Sequence, residues 1–206
     1  MQKLLTSLLL LLLPLAVQAA DDKMLYVEYR LVASQIAADS FDAQVKKVWR
    51  IGQNYLRFEV APNPQTKIHG LIIVAEPDIW IVDRNTNQAE HTVDPGPNYK
   101  IHFPLFASET SEKLRELEFG RELQYFREHD AKELPAEDVD GFKCKVFRLE
   151  IEDREVTLFL KTNETPLQIV VKSPDYEYAM RFLRYEPDRR PDKSLFQLPA
   201  GVQLKK

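Results

Sequence analysis

The sequence predicts a mainly β protein of the α+β class: an antiparallel sheet accompanied by one short helical stretch. Three observations lead there. Residues 142–185 read as four successive strands with mostly alternating apolar and polar positions and connections of only a few residues. Strands joined that tightly must be antiparallel, because parallel neighbours need a crossover of a dozen or more residues. The N-terminal half repeats the pattern in six further candidate strands, and helical spacing is confined to residues 108–129.

In chain order, residues 1–20 have the layout of a cleaved signal peptide. Lys3 supplies the positive start, Leu4 to Leu15 an apolar run, and Val17-Gln18-Ala19 the small residues of a cleavage site after Ala19 or Ala20. A membrane-spanning helix needs about twenty apolar residues, so this run is too short for a permanent anchor. Residues 21–206 are then expected to form one exported, periplasmic domain.

Met24 to Ala33 alternates, with Leu25, Val27, Tyr29 and Leu31 on one face and Tyr26, Glu28 and Arg30 on the other. Val45 to Ile51 and Tyr55 to Val60 follow, separated by the turn residues Gly52-Gln53-Asn54. Pro62-Asn63-Pro64 forces a loop, and Gly70 to Ala75 is continuously apolar, as in a strand buried on both sides. Glu76-Pro77-Asp78 turns the chain into Ile79 to Val82, and Asp83 to Asn87 turns it again into Ala89 to Val93. Asp94-Pro95-Gly96-Pro97 ends this section.

Tyr99 to Phe106 is apolar but irregular, with Pro104 barring a regular helix. Ser108 or Thr110 is the expected cap of a first helix carrying Glu109 and Glu112 in its first turn, where acidic residues suit the positive helix end. Leu114 and Leu117 recur at helical spacing, Gly120 is the expected stop, and Arg121 to His129 would place Leu123 and Phe126 on one side. The meander closes the chain: Phe142 to Ile151, Val156 to Lys161, Leu167 to Lys172 and Tyr176 to Tyr185.

Composition narrows the function classes. The 206 residues hold 28 Lys and Arg against 32 Asp and Glu, net −4, with no basic stripe to suit nucleic acid or anionic head groups. The single Cys144 has no intrachain partner, and its strand position reads as a small buried hydrophobe. His69, His91, His102 and His129 fall in no metal-ligating pattern, so no metal and no other cofactor is expected. There is no Gly-x-Ser-x-Gly elbow and no phosphate-binding glycine loop among six glycines. The clusters Glu116/Glu118/Glu122 and Glu137/Asp138/Asp140 read as solvated charge on a helix surface or in a loop, and Asp83 and Asp94 as turn formers. No catalytic residue is assigned, and the protein is expected not to be an enzyme. An enzyme would need carboxylates such as Asp83 and Glu59 to converge.

What remains is apolar content in a sheet. Trp49, Phe58, Trp80, Met180 and Phe182 all lie in candidate strands, where large side chains are either core or the lining of a hollow; periodicity leaves both open.

Three stretches bear on that choice. Asp192 to Val202, with Phe196 ahead of Pro199-Ala200-Gly201-Val202, resembles the ending of the LolA/LolB-like lipoprotein carriers. Val48-Trp49-Arg50 followed by Gly52 to Phe58 is similar to their paired strands around an arginine-containing turn. Pro77 to Asp83 is similar to their aromatic-bearing hairpin strand. The chain departs from the pattern where Gly52-Gln53 replaces a proline, and where strand-like Met24 to Ala33 stands in place of an N-terminal amphipathic helix.

The resemblance implies a strongly curved sheet forming an incomplete barrel, with a short helical lid over an apolar cavity. The cavity would hold lipoprotein acyl chains, or another lipid, in transit to the outer membrane. Its lining would be Trp49, Phe58, Ile72, Trp80, Leu158, Ile169, Met180 and Phe182, and its lid Leu114, Leu117, Leu123 and Phe126, with Arg50 holding the lid. The partners implied are sorting proteins of the inner and outer membranes, and the protein would act as a monomer. The alternative is a non-enzymatic envelope sensor of the same fold, binding a protein partner by strand addition at an exposed edge, Met24 to Ala33 or Val202 to Leu204.

Overall fold

A computed structural model describes residues 23–98, 100–107 and 111–205. The expected signal peptide and the expected caps Ser108 and Thr110 lie outside these residues. The described chain is dominated by one curved sheet of twelve strands that is not closed into a barrel. In chain order the strands are β1 (Met24–Val32), β2 (Lys46–Ile51), β3 (Tyr55–Val60), β4 (Gly70–Ala75), β5 (Asp78–Asp83), β6 (Gln88–Val93), β7 (Lys132–Val139), β8 (Phe142–Ile151), β9 (Arg154–Leu160), β10 (Pro166–Lys172), β11 (Glu177–Arg189) and β12 (Gln203–Leu204). Two helices, α1 (Glu112–Arg115) and α2 (Glu122–Glu128), and a 3₁₀ turn, Lys193–Phe196, complete the secondary structure.

The spatial order is β12-β6-β5-β4-β3-β2-β1-β11-β10-β9-β8-β7. Two antiparallel meanders, one running outward from β1 and the other from β11, are thus joined back to back by the β1–β11 pair. β1, expected as a possible edge, is therefore central and hydrogen-bonded on both sides. The edges are β7 and β12, the latter pairing parallel with β6 through Gln203 and Leu204.

Side-chain alternation sorts the core into layers. On the concave face Leu25, Val27, Tyr29, Val48, Leu56, Leu158, Ile169, Met180 and Phe182 pack with Leu114, Leu117, Phe119 and Phe126 from the helical segment. On the convex face Met24, Ile51, Leu71, Ile73 and Val82 gather under Phe196, with Trp49, Tyr55 and Trp80 at the margin. A third cluster around Cys144, Val146, Phe159 and Leu167 backs the other end of the sheet. Cys144 is fully buried there, and burial pushes its thiol pKa up.

Two further features depart from the sequence reading. Residues 132–139 give no strand signal, because Lys132, Glu133, Pro135, Glu137 and Asp138 leave no apolar alternation. They form β7 all the same, because β8 supplies their backbone partners, with a bulge between Leu134 and Glu137. The first helix is a single turn capped by Ser111, whose Oγ accepts from the Leu114 N–H at 3.3 Å.

Candidate functional site

The helices cover only part of the concave face. α2 packs on β8 and β9, and Tyr125 of α2 donates its hydroxyl to the Lys113 carbonyl at 2.7 Å, tying the two helices together. Leu114, Leu117 and Phe126 are fully buried, and Leu123 packs partly buried beside them. These four side chains pack into the core cluster of the sheet.

Beyond α1 the chain turns inward rather than staying on a helix surface. Glu118 and Glu122, expected as solvated charges, are 4% and 2% exposed. For Glu118 the reason is Arg50. Its Nε donates to the Gly52 carbonyl at 2.9 Å, Nη1 to Phe119 O and Nη2 to Ile101 O, each at 3.3 Å. Nη2 also meets Glu118 Oε2 at 3.2 Å. The other Glu118 oxygen accepts the Phe103 N–H and contacts His102 Nδ1, both at 2.9 Å. One sheet arginine thus fastens both Ile101 and the 118–119 turn to β2. Glu122 accepts the Tyr185 hydroxyl at 2.7 Å and the Gly120 N–H at 3.1 Å. Burial pushes its carboxyl pKa up against those bonds and the nearby Arg50 charge.

The rest of the concave face, over β1 to β4, is roofed by irregular chain. Between the two lies a hollow of about 740 Å³, within the ~300–1,000 Å³ range of ligand pockets. Its floor is Tyr29 and Leu31 of β1, Lys46 of β2, Phe58 of β3, Ile72 of β4 and Tyr178 of β11. Its roof and rim are residues 103–107, the 35–42 connection with Ile36 and Phe41, and Arg154 with Tyr176. The Phe103 ring lies 5.5 Å from Phe58 and 5.6 Å from Phe119, so the roof is keyed into the core at one point. The exposed wall is mostly carbon.

The residues expected to line the cavity divide three ways. Phe58 and Ile72 do line the hollow. Leu158, Ile169, Met180 and Phe182 are on the same face but buried in the packed core beneath the helices. Trp49 and Trp80 are on the convex face; for Trp49 the reason is that a residue between concave-facing Val48 and Arg50 must point the other way. Trp49 lies 4.8 Å from Tyr26 there, and Trp80 stacks on His91 at 5.3 Å. The loop walls, Phe41 and 103–107, have no periodicity from which to find them.

Among the described residues, Asp83, Asp94 and Glu59 each bond to a separate partner. No group of three or more His, Cys, Asp and Glu side chains is placed there to hold a metal ion. Asp83 accepts from the Asn85 N–H at 2.8 Å and the Thr86 hydroxyl at 3.0 Å, which hold its carboxyl below the usual range. Asp94 accepts from the Gly96 N–H at 2.8 Å, and Glu59 pairs with Arg57. Each has its own partner.

No family model and no curated protein matches this chain. Similar solved structures do exist. An uncharacterized conserved protein from Thermus thermophilus aligns with TM-score 0.50 and 10% identity over 89% of this chain and 90% of that one. A LolA superfamily protein from Nitrosomonas europaea aligns with TM-score 0.35 and 13% identity over 87% and 91%. LprF from Mycobacterium bovis aligns with TM-score 0.43 and 12% identity over 84% and 91%. At 10% identity the likeness to the Thermus thermophilus protein is one of fold alone.

Proposed function

We propose that this protein is a periplasmic, non-enzymatic carrier that shelters the acyl chain of a lipoprotein or another lipid on its way toward the outer membrane. The observation that carries the reading is the carbon-walled hollow between Phe58, Ile72 and the 103–107 roof. Burying one methylene is worth about 0.8 kcal/mol, so a long chain gains useful affinity there without dedicated polar contacts. The signal-peptide pattern of residues 1–20 fits an exported carrier. Entry and exit call for movement of the roof and the 35–42 rim, since the helices are locked into the core.

The rival reading, a partner-binding module working by strand addition, has less support. β1 is paired on both sides, β12 is an edge as that reading expects but only two residues long, and the β7 edge carries Pro135, which offers no N–H, amid exposed charges. Native mass spectrometry of protein isolated from the periplasm tests the carrier reading. Bound acyl-bearing mass is expected. Bare protein that also fails to take up a fluorescent fatty acid saturably would refute it.

A further inference from the structure

The hollow has a cation in its wall that a purely apolar ligand would not need. Lys46 of β2 lines it while only 4% exposed. Its Nζ donates to three carbonyls of its own connection, Phe41 at 2.7 Å, Asp42 at 3.2 Å and Gln44 at 3.3 Å, and sits 4.4 Å from the centre of the Phe41 ring. Dipoles and a ring face thus hold the charge. Among the described residues no carboxylate comes within ion-pair distance of Nζ, although Asp42 lines the same hollow. Burial lowers the lysine pKa, with Asp42 only partly opposing it, as expected of a cation withdrawn from water without a full counter-charge.

Resting on the acyl-binding reading, we propose that the hollow selects single-chain amphiphiles with a small acidic head, long-chain fatty acids, whose carboxylate meets Lys46 while the chain lies along Phe58, Ile72 and Phe103. The head must be small because Nζ is almost wholly covered; a phosphodiester with its glycerol and choline cannot follow a carboxylate into that wall. The carboxylate would accept a charge-assisted bond from Nζ in place of the longest carbonyl contact, that of Gln44. Such bonds are the strong ones, and a desolvated cation gains most from them.

The test is competition on the full mature protein, below micellar concentration. A fluorescent fatty acid is displaced by an unlabelled fatty acid, by the methyl ester of the same acid, and by lysophosphatidylcholine of the same chain. The acid is expected to compete about tenfold or more better than either of the others, the scale of one charge-assisted bond. Lys46→Met should level acid and ester, and Lys46→Arg should keep their difference. Equal competition by acid and ester in the wild-type protein would overturn the head-group assignment and leave acyl binding standing. Preferential displacement by lysophosphatidylcholine would overturn it in favour of a phosphate head. If the labelled acid never binds, the acyl-binding reading falls and this one with it. Because the wild-type comparison decides the matter, a misfolded Lys46 variant leaves the test intact.

Discussion

Arg50 and Glu118 close an ion pair at 3.2 Å with their side chains only 7% and 6% exposed. Two charges withdrawn from water are tolerated because both are further hydrogen-bonded: Arg50 reaches three carbonyls, and Glu118 takes the Phe103 N–H and His102. Such an arrangement is costly to break one-sidedly. Arg50→Met strands the Glu118 carboxylate and two of the carbonyls away from water, and should cost about 3–5 kcal/mol in chemical denaturation. Arg50→Lys should recover only part of this, because one ammonium cannot reach all the acceptors spread around the edge of the guanidinium plane.

Glu122 gives a pH signature. Its folded pKa is raised by burial above the ordinary 4.5, so the folded state holds the proton more tightly than the unfolded chain. Its contribution is fully present below the unfolded value and is lost as pH rises through the folded one. Glu122→Gln, which can still accept from Tyr185 and Gly120, should remove that loss. Thermal unfolding measured across the acidic-to-neutral range should show the variant equal to wild type in acid and relatively more stable at neutral pH.

Gly120 turns the chain between α1 and α2 with φ +88°, and an added Cβ would stand 3.0 Å from Leu25 Cδ2. Both the left-handed backbone and the close approach penalise a side chain. Gly120→Ala should destabilise by about 1–3 kcal/mol in equilibrium unfolding, whereas alanine at Gly70, where a Cβ meets nothing within 4 Å, should not show this clash.

The helices are part of the core, and that too is measurable. Phe126→Ala removes a fully buried ring and should cost about 3–5 kcal/mol. Phe103→Ala acts on a partly buried roof residue, so it should cost less while changing acyl uptake more. Denaturation midpoints and ligand titrations on the same two variants separate the roles.

Alternation in the sequence is enough to find most of β1 to β3, β5 and β8 to β11, whereas β4 is read from a continuous apolar run that serves both faces and β6, with only Ala89 buried, from the turn that precedes it. Alternation misses β7, whose neighbour β8 provides its pairing while neither of its own faces carries a run of core residues. Parity could place Trp49: with Arg50 assigned to the helical side, the tryptophan beside it has to face away. The carboxylates Glu118 and Glu122 are unreadable, since their partners, Arg50 for Glu118 and Tyr185 for Glu122, lie 68 and 63 residues away in the chain and are brought near only by the fold. The hollow's walls are equally hidden, as residues 35–42 and 103–107 follow no period and are positioned by what they lie against.

The central claim is that the space beside the locked helices is a ligand chamber. Titrating a fluorescent long-chain fatty acid into wild type and Ile72→Trp tests it most directly, since the larger ring projects into the hollow from β4. Saturable binding at one chain per protein, weakened about tenfold or more in a variant that unfolds within a small shift of wild type, is the predicted result. Equal uptake by the two proteins, or none by either, would contradict the account.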